Sequence, residues 1–429
     1  MAETGWPSPA AEQVRERYAS ACRAYAALDV DADAAVRQAL TVPISLHSWQ
    51  GDDAAGFEVR KGSGGGIMAT GNYPGRARDG DELRRDLQQV MALVPGTLKV
   101  NLHAFHAETG GKAVQRDALE VGHFARWIAW AGKHRIGLDF NPTMFAHPLG
   151  GGLTLSHPDA AVRSFWIGHA VACRRIAEAM ARRSGSPCVN NLWIPDGAKD
   201  SPADRWGPRR RLRAALDEIY DDSLGIDRRL CIDAVEGKLF GLGVEDYTAG
   251  SHEFYWLYAL RKDLVPCLDM GHFHPTETVA DKLSALLEFH RGLLLHLSRG
   301  LRWDSDHVVL WSDDLKAALL ELVRGGALDR VYIALDYFDA SINRIAAYVI
   351  GARAARKAVL YALLDPSARL RGLEAAGRGA QKLALMEEMK TMPFAAAWDK
   401  LCLDAGVPLG PSWLADVEAY ERRVLAKRR

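Results

Sequence analysis

The chain has little cysteine and no paired cysteine. Cys22, Cys173, Cys188, Cys231, Cys267 and Cys402 are scattered through 429 residues, and none forms a C-x-x-C motif. That excludes a disulfide scaffold and fits a reducing compartment. Neither charge is in excess: Lys+Arg and Asp+Glu each number 54. A balanced chain lacks the basic face of a nucleic-acid binder and the cationic face of a membrane-surface protein. Its small basic clusters, at residues 209–211 and 427–429, read as a solvated helix face and a tail. No run of about 18 apolar residues is present to span a bilayer. The N-terminal residues carry no apolar signal segment, so the expectation is a cytoplasmic protein. At 48% hydrophobic and 25% charged, the composition is neither disordered nor collagen-like.

What is present is alternation. An amphipathic helical opening covers residues 10–40. Eight short β-like runs follow, at 42–49, 99–105, 136–142, 188–195, 230–240, 265–273, 293–298 and 331–339. Most are nearly continuous apolar stretches, the pattern of parallel strands buried on both faces. Helical patterns at 81–93, 124–133, 159–183, 209–220, 276–291 and 312–324 lie between them. Such βαβα alternation implies a mostly parallel sheet. Eight repeats favour an α/β fold of the (β/α)8 TIM barrel type over a doubly wound sheet. From residue 345 onward only helical patterns occur. The expected organisation is an N-terminal helical segment (1–40), a barrel catalytic domain (41–345) and a C-terminal helical extension (346–429). The glycine-rich stretch at 62–66 has neither the lysine nor the helix that follows a phosphate-cradling loop, so it reads as a plain loop.

Barrel enzymes place their chemistry at the C-terminal strand ends. The tails of these runs carry His47, His103, His106, Asp139, Asn141, Trp193, Asp196, Glu236, Lys238, Asp269, His272, His296, Asp336 and Asp339, with Asp304 and Asp306 in the loop after the seventh run. A lone strand aspartate is usually hydrogen-bonded structure. A ring of carboxylates in a low-dielectric mouth is costly without a cation. Asp269-x-x-His272 offers a carboxylate and an imidazole to one ion. Asp304-x-Asp306 presents two carboxylates on one face of an extended segment, or else caps a turn. Oxygen-rich donors with few imidazoles and no thiolate suit Mn²⁺, Mg²⁺ or Co²⁺. Lys238 shares a strand face with Glu236, which favours an electrophilic role over a snorkelling one. Trp49 and Trp193 suit the apolar faces of a sugar or ordinary core packing. His103 is a proton carrier or a satisfied core histidine.

These stretches carry a resemblance. His47-Ser48-Trp49-Gln50-Gly51-Asp52-Asp53, Gly71-Asn72-Tyr73-Pro74-Gly75, Asn191-Leu192-Trp193-Ile194-Pro195-Asp196-Gly197 and Leu268-Asp269-Met270-Gly271-His272 are similar to bacterial L-rhamnose isomerases. So are Arg302-Trp303-Asp304-Ser305-Asp306-His307 and Asp336-Tyr337-Phe338-Asp339-Ala340-Ser341. The resemblance implies a homotetramer that interconverts L-rhamnose and L-rhamnulose with two divalent ions, typically Mn²⁺. It implies one metal site at Glu236, Asp269, His296 and Asp336, and another at His272, Asp304 and Asp306 with Asp269 shared. Trp49, Trp193 and His103 would contact sugar, and Lys238 would be the strand lysine. One departure is Gly237, where a bulkier residue is expected. Glycine there would loosen the strand end.

An aldose–ketose isomerase opens the sugar ring and moves hydrogen between C2 and C1. A dimetal site suits a direct hydride shift, with Lys238 near O1 and His103 in ring opening. Asp336 acting as base through an ene-diol is the other route. An isomerase of a different aldose, such as L-mannose, fits the same residues. A barrel amidohydrolase would carry H-x-H on the first strand, where only His47 stands. A barrel nuclease would need a basic groove. A non-catalytic sugar binder would not need the four clustered metal donors. The loops at 51–80 and 140–155 are candidates to close over substrate.

Overall fold

A computed structural model describes residues 9–58, 71–150, 152–240, 244–301 and 307–428. The stretch at 62–66 and the residues Asp304 and Asp306 lie outside it.

Each of the eight β-like runs overlaps a barrel strand: β1 (Ile44–His47), β2 (Leu98–His103), β3 (Gly137–Asn141), β4 (Cys188–Leu192), β6 (Cys231–Glu236), β8 (Val265–Asp269), β9 (Leu293–Leu297) and β10 (Val331–Leu335). They close in the order β1-β10-β9-β8-β6-β4-β3-β2, all parallel. Closure joins Ile44 to Ile333. Most strands stop before their runs do, because the polar tails turn out of the ladder at the barrel rim. A small antiparallel pair, β5 (Gly197–Ala198) with β7 (Tyr247–Thr248), lies in the loops after β4 and β6.

The barrel interior has two levels. Val189, Ile232, Ala234, Val265, Cys267, Leu294 and Ala334 form an apolar plug. Polar side chains populate the strand ends beyond it. This is the packed-core arrangement of such barrels, with chemistry confined to the mouth.

The helical opening is two helices, α1 (Ala11–Ala26) and α2 (Ala32–Thr41). Asp29 has φ 63°, which helix cannot continue through, and the Asp31 side chain caps α2 by accepting from Ala34 N–H. A single turn, α3 (Trp49–Asp52), ends the first run. The helices α4 (Gly80–Met91), α5 (Ala125–His134), α6 (Ala160–Ser184), α7 (Trp206–Ile219), α9 (Ala280–Leu287) and α10 (Asp313–Arg324) fall where helical patterns were read. The helix α8 (His252–Lys262) was not expected. Its exposed Leu257 and Leu260 face away from buried Tyr255, Tyr258 and Ala259, so apolar residues on both sides blur the helical period.

After β10, α11 (Arg344–Leu363) packs on β1, α2, α4 and α10. Its fully buried Arg356 donates to the carbonyls of Ala39, Val42, Pro95 and Thr97. Burial pulls that guanidinium down to about 9, with no carboxylate partner among the described residues. Helices α12 (Ser367–Ala375), α13 (Gly379–Glu388), α14 (Phe394–Asp404) and α15 (Trp413–Arg423) follow. No helix among the described residues is long and apolar enough to cross a membrane.

Candidate active site

Parallel register brings the acidic strand ends together. Glu236 closes β6, Asp269 closes β8 directly opposite His296 of β9, and Asp336 follows β10. One donor atom from each of the four lies within 4.8 Å of the others. His296 Nδ1 stands 3.0 Å from Asp336 Oδ2, 3.4 Å from Glu236 Oε2 and 3.7 Å from Asp269 Oδ2. Among the described residues, neither of its ring nitrogens, nor Asp269 Oδ2, has a well-formed hydrogen bond.

Neighbouring donors fill the other lone pairs. Ser298 Oγ and Gly271 N–H both donate to Asp269 Oδ1, at 2.7 and 2.6 Å. Trp49 Nε1 donates to Asp336 Oδ1 at 3.0 Å, and Asn191 Nδ2 donates to Glu236 Oε2. Each contact orients a carboxylate while leaving oxygen capacity towards the centre, as the outer shell of a metal site does. Burial alone would lower the His296 pKa. The surrounding Cys267, Glu236, Asp269 and Asp336 raise it well above the ordinary imidazole range. A buried site that draws positive charge this strongly, with three carboxylates and one imidazole, fits a divalent cation.

Above the cluster opens a cavity. Trp49, His103, Trp193, Glu236, Lys238, His272 and Asp336 all line it. His272 Nδ1 lies 3.1 Å from Glu236 Oε1. Lys238 Nζ sits over the Trp193 ring, 5.2 Å from its centroid. His103 is held between Trp49, edge-on at 4.6 Å, and Phe105, stacked at 4.9 Å. Burial pushes the His103 imidazole well below its usual pKa, so it is neutral.

Comparison with known proteins points to one family. Residues 12–428 match the family described as L-rhamnose isomerase (RhaA). The chain belongs to the L-rhamnose isomerase family. It is 51% identical over 420 residues to the L-rhamnose isomerase of Rhodopirellula baltica, covering 97% of this chain and 98% of that one. It is 51% identical over 418 residues to that of Escherichia coli, covering 97% and 99%. Among solved structures, an L-ribulose 3-epimerase superposes with TM-score 0.46 at 15% identity, over 77% of this chain and 97% of that chain.

Within this L-rhamnose isomerase fold, several strand-end residues serve other purposes. Asp139 accepts from Ser45 Oγ, Lys99 Nζ and Val189 N–H inside the barrel. Asp196 anchors Thr154 and Ser156. His106 is bound to Asp52, and Asp339 exchanges backbone hydrogen bonds with the Gln50 side chain. His47 packs on Tyr337, and burial lowers its pKa to about 3. Gly237 does not loosen its strand. A Cβ there would come 2.8 Å from His252 Cδ2 and 2.9 Å from His252 Cα, so α8 packs directly on the strand end and has no room for a bulkier residue.

Other residues of the site were not anticipated. Asn191 sits beside Asn190 in an otherwise apolar, fully buried strand, and two consecutive buried amides were the available signal. Phe145 and Phe338 line the cavity from loops, where no periodicity marks them.

Proposed function

We propose that this chain interconverts L-rhamnose and L-rhamnulose, with divalent ions held at the barrel mouth. The observation that carries this reading is the Glu236–Asp269–His296–Asp336 cluster opening into a cavity lined by aromatic rings and Lys238. In this reading a second ion is held by His272, Asp304 and Asp306, with Asp269 shared. Mn²⁺ is the preferred metal, with Co²⁺ or Mg²⁺ as substitutes. When bound, such ions supply Lewis acidity towards the substrate's C1 and C2 oxygens.

The chain's own residues have distinct parts. Trp49, Trp193 and Phe338 give the sugar's apolar faces a dry wall. His103 serves the ring-opening proton transfer, in which the proton that leaves the O1 hydroxyl ends on the ring oxygen. Lys238 donates to O1 as negative charge gathers there. Asp336, held by Trp49, is the base if hydrogen moves through an ene-diol. Deuterium placed at C2 separates the routes. Retention at product C1 marks a direct shift, and complete washout marks the ene-diol route, in which Asp336 is the proposed base.

The reading extends to a cytoplasmic homotetramer in rhamnose catabolism. The primary test strips the protein with chelator, restores Mn²⁺, and assays L-rhamnose beside L-mannose and D-xylose. Metal-dependent ketose formation with L-rhamnose preferred is the expected result. Metal-independent turnover, or no ketose from a folded, metal-loaded protein, refutes it. Light scattering after size exclusion tests the tetramer.

A further inference from the structure

Behind the candidate sugar site lies a set of buried polar contacts centred on Thr143, a residue with no exposed surface. Its Oγ1 lies 3.2 Å from Phe105 N and 3.2 Å from His103 Nδ1. A backbone amide only donates, so Phe105 N–H occupies one lone pair of the hydroxyl. The hydroxyl has one proton to give. Among the described residues, His103 Nδ1 is its one hydrogen-bond acceptor. We infer that Thr143 locks His103 in the tautomer with its proton on Nε2, so that the remaining ring nitrogen meets the sugar as a donor.

The opposite tautomer would leave the hydroxyl accepting twice, with its own proton unmatched in a closed site, which is costly. Thr143 is itself fixed from both sides. Its N–H donates to His169 Nε2 at 3.1 Å, and His169 Nδ1–H donates to the carbonyl of Arg116 at 2.9 Å. Arg116 returns a bond from Nη1 to the Thr143 carbonyl at 2.6 Å. The His103 backbone is held as well: its N–H donates to His106 Nδ1 at 3.2 Å, and His106 Nε2 pairs with Asp52 at 3.0 Å. The imidazole is therefore fixed in place, plane and tautomer. Thr143 is a positioning residue that makes His103 select an acceptor oxygen, such as a pyranose ring oxygen, over a hydroxyl proton.

The functional consequence rests on the ring-opening role given to His103, but the tautomer does not. Neutron diffraction from deuterium-exchanged, metal-loaded crystals without sugar reads the deuteron position directly. We expect it on Nε2 in the wild type and in Thr143→Ser, and on Nδ1 or shared between both nitrogens in Thr143→Val. Turnover of L-rhamnose should fall about three- to tenfold in kcat/KM in Thr143→Val, the value of one neutral hydrogen bond, and recover in Thr143→Ser. A deuteron on Nδ1 in the wild type overturns the inference whether or not rhamnose is the substrate. So does a Thr143→Val protein that keeps the wild-type tautomer. If the wild type makes no ketose, the proposed reaction fails while the neutron result still decides the tautomer.

Discussion

Gly237→Ala is the sharpest single test of how the strand end is built. The added methyl would stand 2.8 Å from His252 Cδ2, 2.9 Å from His252 Cα and 3.1 Å from His252 N. The His252 ring cannot swing aside, because it stacks on Phe273 with centroids 4.1 Å apart and planes 8° from parallel. Its Cα belongs to α8 and moves only with the helix. Reaching an ordinary carbon separation of ~3.5 Å therefore shifts α8 and the strand end apart by roughly 0.6 Å. Overpacking of this kind costs about 1–3 kcal/mol. The shift also reaches the chemistry, since Lys238 N–H is bonded to the Gly250 carbonyl at 3.2 Å and Thr248 Oγ1 to the Lys238 carbonyl at 3.0 Å. A misplacement of about 1 Å costs up to ~100-fold, so about a tenfold fall in kcat/KM is expected. Urea unfolding at fixed protein concentration and steady-state kinetics with L-rhamnose are the assays. Gly132→Ala is the control: that glycine lies in α5, is exposed, and has nothing within 4 Å of its added methyl. It should gain about 0.4–1 kcal/mol. A Gly237→Ala protein as stable and active as the wild type would refute the packing argument.

His296→Ala and Asp336→Ala should each abolish turnover and lower the bound metal measured by plasma spectrometry, while circular dichroism stays native. Asn191→Leu removes the donor that orients Glu236 and should weaken metal binding about 10- to 100-fold by metal-buffered titration. Trp49→Phe keeps the aromatic wall and deletes the Nε1–Asp336 hydrogen bond; a fall of about tenfold in kcat/KM is expected for a bond to a charged acceptor. For pH, burial first, and then the Arg116 charge, hold the folded His169 value near about 3, below its unfolded value of about 6.5. The unfolded chain thus binds the extra proton between these values. The stability at stake is complete above about pH 6.5 and is lost as pH falls, by about 1.4 kcal/mol per unit. Unfolding at pH 7 and 5.5 should show at least this loss, and His169→Gln should reduce it.

The eight barrel strands were legible because strands buried on both faces leave continuous apolar runs, such as Leu293–Leu297, that need no tertiary knowledge to see. The four-donor cluster was legible because Glu236, Asp269, His296 and Asp336 sit at equivalent depth, and parallel register converts equal depth into proximity. What hid was set by contacts between distant segments. Nothing local separates Asp139, neutralised by Lys99 inside the barrel, from Asp269, whose Oδ2 faces the cluster. Helix α8 was missed because its two faces are both apolar, and Gly237 was misjudged because its meaning lies in His252. Thr143 looked like a loop residue, and its importance comes from what Phe105 and His103 place beside it.

The seam between β1 and β10 also has a consequence for synthesis. Ile44 pairs with Leu98 of β2 early, but its partner across the seam exists only once Ile333 does, and Arg356 must arrive still later to bind the carbonyls at the start of β1 and β2. Until then a growing chain carries β1 as an open edge with unpaired amides, which invites association with other chains. Asp336, the last donor of the four-residue cluster, emerges just behind that closing strand. A nascent or truncated chain ending before residue 331 therefore has neither a closed barrel nor a full donor set. The full set of four donors marks the completed molecule.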